Sequence, residues 1–139
     1  LATILDDAGI DVSDVKDAKF SGVSYRVTQP EAGRSIVDGS VTVQRAGGAV
    51  TTLISDFDVD VSQATGWTTA TLNPAAVAIL NDVMGHLLDE VKGGPAATNT
   101  VLTFSVSGNS VPADVATNFR YEIKLDLSVL GTITLDVVN

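Results

Sequence analysis

A chain of 139 residues suits one domain and can bury a core that needs no staple. A formal charge of −9 and a pI near 4.2 give a surface that repels phosphate backbones and anionic lipid, which argues against nucleic-acid binding. There is no cysteine, so disulfides and thiolate chemistry are excluded, and no apolar run approaches the ~18 residues that span a bilayer.

The acid is nearly all aspartate: Glu31, Glu90 and Glu122 are the only glutamates. Aspartate favours turns and strand ends, while the abundant valine and threonine suit strands. Composition alone therefore predicts a mainly β chain. Residues 1–14 are aspartate-rich without a sustained period. They predict an irregular, solvated arm with at most a helical turn over Ala2 to Ala8.

Alternation begins in "KFSGVSYRVT". Val23, Tyr25 and Val27 share one face, and Ser24 and Arg26 the other. Phe20 has the opposite parity, so Gly22 is read as a β-bulge that switches the phase. Residues 29–34 read as a loop. "SVTVQ", "RAGG" and "AVTTLI" read as strand, turn and strand. In "SDFDVDV", Asp56, Asp58 and Asp60 alternate with Phe57, Val59 and Val61, which predicts a strand with one wet and one buried face.

"LNPAAVAILNDVMGHLLDEVKGG" is the one clear helix, about residues 74–92. Asn73 is a good N-cap and Pro74 suits the first helical position. Val77, Leu80, Met84, Leu87, Leu88 and Val91 form a stripe, widened by Ile79 and Val83, while Asp82, His86 and Asp89 fall on the other side. After it come three strands. Leu102, Phe104 and Val106 are in phase in the first. Phe119, Tyr121, Ile123, Leu125 and Leu127 oppose Arg120, Glu122, Lys124 and Asp126 in the second. "SVLG" is read as a turn into the third, Thr132 to Val138.

One-sided alternation in about seven strands predicts an antiparallel two-sheet β-sandwich, with the helix inserted before the last three strands. The alternative is an α+β layer with the helix flat on one antiparallel sheet. Residues 1–139 read as a single domain.

Each site candidate has a plain structural reading. Same-face residues on a strand lie roughly 6.6 Å apart. Two oxygens on one calcium ion lie within about 5 Å of each other. Asp56, Asp58 and Asp60 are the only metal candidates, and this spacing speaks for a solvated strand face instead. Arg120 and Lys124 would offset their charge if the two strands were neighbours. His86, the only histidine, lies mid-helix on the polar face, so no catalytic residue is assigned. No glycine loop suits a phosphate, and no cofactor is implied. Trp67, in "ATGWTTATL", is read as plugging an end of the sandwich. With Tyr25 and Met84 it is the candidate contact for a partner or ligand.

The leading expectation is a non-enzymatic, structural or accessory subunit of a larger cell-surface or membrane-associated assembly, bound to a protein partner or to itself. The apolar fraction of 45% is high for so acidic a chain, and apolar surface beyond the core would face that partner. The chain opens on Leu1 and is rich in Ser, Thr, Val and Gly, which predicts a mature exported protein, periplasmic or at the cell surface, of a bacterium or archaeon. A binding module for a small apolar ligand or a glycan is the second reading, and an enzyme the third.

Overall fold

Alternating apolar residues drive two layers of strands together, and the computed structural model describes residues 1–114 and 116–132 of the result. Helix α1 (Ala2–Asp7) and a 3-10 turn (Val12–Asp14) lead into strand β1 (Val15–Gln29). Strands β2 (Ser35–Arg45), β3 (Val50–Ile54), β4 (Val59–Asp60) and β5 (Thr68–Thr69) precede helix α2 (Pro74–Val91). Strands β6 (Leu102–Val111) and β7 (Arg120–Gly131) follow it. All pairing is antiparallel. One sheet has the order β5-β1-β7. In the other, β2 is central, with β3 and β4 against one edge and β6 against the other. This is the two-sheet β-sandwich that the alternation predicts.

The main core lies between the sheets. Phe20, Val23 and Val27 of β1 meet Val41 and Val43 of β2, Leu53 and Ile54 of β3, and the buried Phe57, Val59 and Val61. The predicted bulge at Gly22 is present: the β1–β7 register shifts between Phe20 and Gly22. The freed N–H of Phe20 donates to Asn81 Oδ1 on α2 at 2.7 Å. The other end of α2 is held at β3. Asn73 caps the helix by accepting from the Ala75 N–H, and its own N–H donates to the Leu53 carbonyl at 2.8 Å. Helix α2 thus bridges β1 of one sheet and β3 of the other, closing one side of the sandwich.

The buried face of α2 is Ala76, Leu80, Val83 and Leu88, while Val77, Met84, Leu87 and Val91 are only half-buried. The predicted stripe is therefore corrected. The helix serves two clusters: Ala76 and Leu80 enter the main core, and Leu88 with Met84 packs on Leu5, Val15 and Ala18. Leu87 falls between the two. Asp82, His86 and Asp89 are exposed as expected.

Two further expectations change, and a third lies outside the described residues. The helical turn expected over Ala2 to Ala8 forms as α1, but it is not solvated throughout, because Leu5 is fully covered beneath α2. Ser128 to Gly131 do not turn. They continue β7 and pair with β1, Ala18 opposite Val129 and Val15 opposite Gly131, because β1 is long enough to template them. The partner of β7 is accordingly β1. The predicted last strand, Thr132 to Val138, falls outside the described residues beyond Thr132.

A second bulge shapes β2. Its register against β6 shifts between Val37 and Ser40, with Asp38 at φ 52°. At Gly39 the backbone of Phe57 approaches so closely that any Cβ would run into its carbonyl oxygen. Gly108 of β6 lies behind it, where a Cβ would meet Ile36 Cγ2 at 2.7 Å and Gly39 Cα at 3.2 Å.

The packing of α2 is testable by chemical denaturation. Leu80→Ala should cost about 2–5 kcal/mol, as for a leucine whose cavity cannot collapse, and the half-buried Leu87→Ala should cost clearly less. Equal losses would mean that α2 sits in a different rotation.

Candidate functional site

Opposite α2 the described residues leave the sandwich open. β6 and β7 are the outer strands on that side, one from each sheet. Among the described residues β6 pairs only with β2, and β7 only with β1. Their alternation turns Phe104 and Val106 of β6, and Tyr121, Ile123 and Leu125 of β7, toward the space between the sheets. No element among the described residues covers that space. Phe104 is 46% exposed, Val106 43%, Ile123 50% and Leu125 53%. These are core-facing residues of a core that stops short of the edge.

Behind them lies a cavity of ≈ 310 Å³. Val23 and Tyr25 of β1, Val41 of β2, and Leu53, Ile54 and Phe57 form its floor. An aromatic chain runs from floor to rim. Tyr25 meets Phe57 edge-on at 4.8 Å between centroids, Phe57 meets Tyr121 at 6.2 Å, and Tyr121 stacks on Phe119 at 5.7 Å. Every lining side chain is apolar or tyrosine. The seam can therefore hold apolar surface but offers no carboxylate, amine or imidazole for proton transfer.

Charge is confined to the outer face of β7. Arg26 of β1 donates through Nε and Nη2 to Glu122 Oε2, at 2.8 and 2.6 Å. Lys124 lies 3.1 Å from Asp126 on the same strand. These pairs are well exposed and contribute little stability each. The Arg26 guanidinium also sits 4.6 Å from the centre of the Trp67 ring, a cation–π contact that holds Trp67 against the outside of the sheet.

The sequence candidates scatter. Tyr25 lines the seam. Trp67 is 46% exposed on the outer face and does not plug an end of the sandwich, because Arg26 draws it there. Met84 packs in the smaller cluster under α2. His86 lies 3.6 Å from Asp82, whose carboxylate also pairs with Arg45, on the closed side of the fold. The alternation puts Phe104 and Val106 in phase on one strand, and Ile123 and Leu125 on another. Their inward phase is correct, but no sequence signal separates a covered inner face from an open one.

The aspartate triplet is neither a regular strand nor a cluster. Only Asp60 lies in β4. Residues 55–58 are extended without a ladder because the bulge of β2 displaces its pairing groups. There Phe57 N–H donates to the Gly39 carbonyl, and Gly39 N–H donates to Asp58 Oδ1. The burial alternation nonetheless holds, with Phe57, Val59 and Val61 buried and the three aspartates exposed. Hydrogen bonds from the Ser62 hydroxyl and N–H hold the Asp60 carboxyl below its usual range. Arg120 and Lys124 do not offset the triplet, since β4 and β7 belong to different sheets. Among the described residues no three His, Asp or Glu side chains are grouped to hold a metal ion.

Comparison with protein-family models, with curated proteins and with solved structures finds no match.

Asp58 and Asp60 are each engaged by protein N–H groups, so millimolar calcium should leave the melting temperature nearly unchanged. A site saturated at 100 times its dissociation constant would instead add roughly 2.7 kcal/mol, several degrees for a domain of this size. A calcium titration by scanning calorimetry decides between them.

Proposed function

We propose that the protein is a non-enzymatic β-sandwich that works outside the cytoplasm as a structural or accessory subunit of a cell-surface or membrane-associated assembly, docking through the seam between β6 and β7. The observation that carries this reading is the open edge itself. Four large apolar side chains are about half-exposed side by side, above a cavity with no ionisable group other than two tyrosines. Contiguous apolar surface of this kind marks interaction sites on soluble domains. No described residue pairs with the edge of β7 away from β1, and an incoming strand can satisfy backbone groups there. The absence of cysteine and the Ser, Thr and Val richness are compatible with export.

A second reading is favoured by the size of the cavity. At ≈ 310 Å³ with an apolar lining, it falls at the small end of the roughly 300–1,000 Å³ range of ligand pockets. A small apolar molecule bound there would appear as an adduct in the native mass spectrum of protein purified from its source. Trp67 does not border this cavity, and one face of its ring is taken by Arg26, which weakens the glycan reading.

Leu125→Ser tests the docking reading. Because Leu125 is half-exposed in the isolated chain, the change should shift the melting temperature only slightly while abolishing association with the assembly in sedimentation. A loss of about 2–5 kcal/mol would instead show that Leu125 belongs to a closed core, and would remove the seam.

A further inference from the structure

The occupant of the seam is written on the outer face of its rim. β7 reads Arg120-Tyr-Glu-Ile-Lys-Leu-Asp126. Its charges alternate in sign, and the order is self-complementary when the strand is reversed. If two copies of β7 run antiparallel about an axis through Ile123, Arg120 faces Asp126 of the other copy and Glu122 faces Lys124. Both pairs occur twice by symmetry. On the inner face the same register sets Tyr121 against Leu125 and Ile123 against Ile123. A slip of two residues either way keeps the faces but sets Glu122 against Asp126, or against itself. A slip of four keeps only two opposite-charge pairs where the register about Ile123 has four, so the charges favour that register. A strand edge guarded against self-pairing usually carries lysines or an inward charge. This one carries the pattern that a second copy of itself complements.

Topology makes that pairing available. β1 occupies one edge of β7, and no described residue pairs with the other. We propose that the seam is covered by a second copy of this chain, through antiparallel β7–β7 pairing about Ile123, which joins two three-stranded sheets into one of six strands. The symmetry is isologous, the commonest way for identical chains to associate. The inner rims then face each other: Ile123 and Leu125 of each copy supply the apolar cover that the other lacks. The Arg26–Glu122 pair is extended by Lys124 of the second copy, so signs alternate across the joined sheet. The net charge of −9 per copy opposes association at long range, but at physiological salt it is screened beyond about 8 Å, whereas the facing pairs are in contact.

This inference rests on the seam being a docking surface, and its test separates the two. The full chain should sediment as a dimer. Arg120→Asp and Asp126→Arg avoid the Arg26–Glu122 pair, and each places like charges opposite each other twice. Each alone should weaken dimerisation by about tenfold or more, and mixing the two variants should restore it as a heterodimer. Cross-strand Cα separations of about 4.5–5.5 Å fall within disulfide range, and the chain has no other thiol. Ile123→Cys should therefore oxidise to a covalent dimer, and Ser128→Cys should not. Restoration on mixing together with the crosslink at 123 alone supports the proposal. Variants that fail to complement overturn it, as does a crosslink at 128 in place of 123. A chain that stays monomeric, yet loses its place in the assembly on Leu125→Ser, overturns self-pairing and leaves the seam to a foreign strand. A monomer indifferent to Leu125→Ser overturns both readings.

Discussion

A two-layer sandwich has two open sides, and its apolar inner faces must be covered at both. Here α2 covers one. It is fixed to β1 through the side-chain Oδ1 of Asn81 and to β3 through the Asn73 N–H, so each sheet is tied to the same rigid rod. With one side held by the helix, the strands farthest from it are left at a free rim. The bulge at Gly22 lies beside this attachment, two residues along β1 from Phe20.

The rim residues are therefore both core and surface. Ile123 and Leu125 are in register with Val23 and Tyr25, and their phase is the phase of the interior. Burying such side chains stabilises a fold at roughly 25 cal/mol per Å² of apolar area, and about half of that gain is still unrealised for each of them. In the proposed docking, the driving force is thus the remainder of the folding force, directed at another molecule.

Much of this architecture was legible in the sequence. The single helix announced itself through Asn73, Pro74 and the glycines that follow Lys92. Strands β1, β2, β3, β6 and β7 were visible as period-two alternation, and the bulge at Gly22 as a parity break. Other features had no local signal. The "SVLG" stretch resembles a turn, but Val15 to Lys19 across the sheet hold it extended. Residues 55–58 alternate like a strand, yet they dock on a bulge without laddering. The openness of the seam among the described residues is a property of strand order, and the complementary charges of β7 acquire meaning only through the proposed pairing.

The back-to-back glycines 39 and 108 have a consequence for descent. Gly39 admits the Phe57 carbonyl, Gly108 admits Ile36 and Gly39 itself, and neither tolerates a Cβ without moving β2 from β6 or from the 55–58 segment. Core residues can exchange for apolar residues of similar total volume, and exposed aspartates tolerate wider change, so divergence will erase most of this sequence while leaving its shape. The two glycines cannot drift independently, and Asp58, whose carboxylate answers the Gly39 N–H, is tied to them. Distant kin should therefore share this sparse triplet, set within otherwise dissimilar strands, long after overall identity has faded.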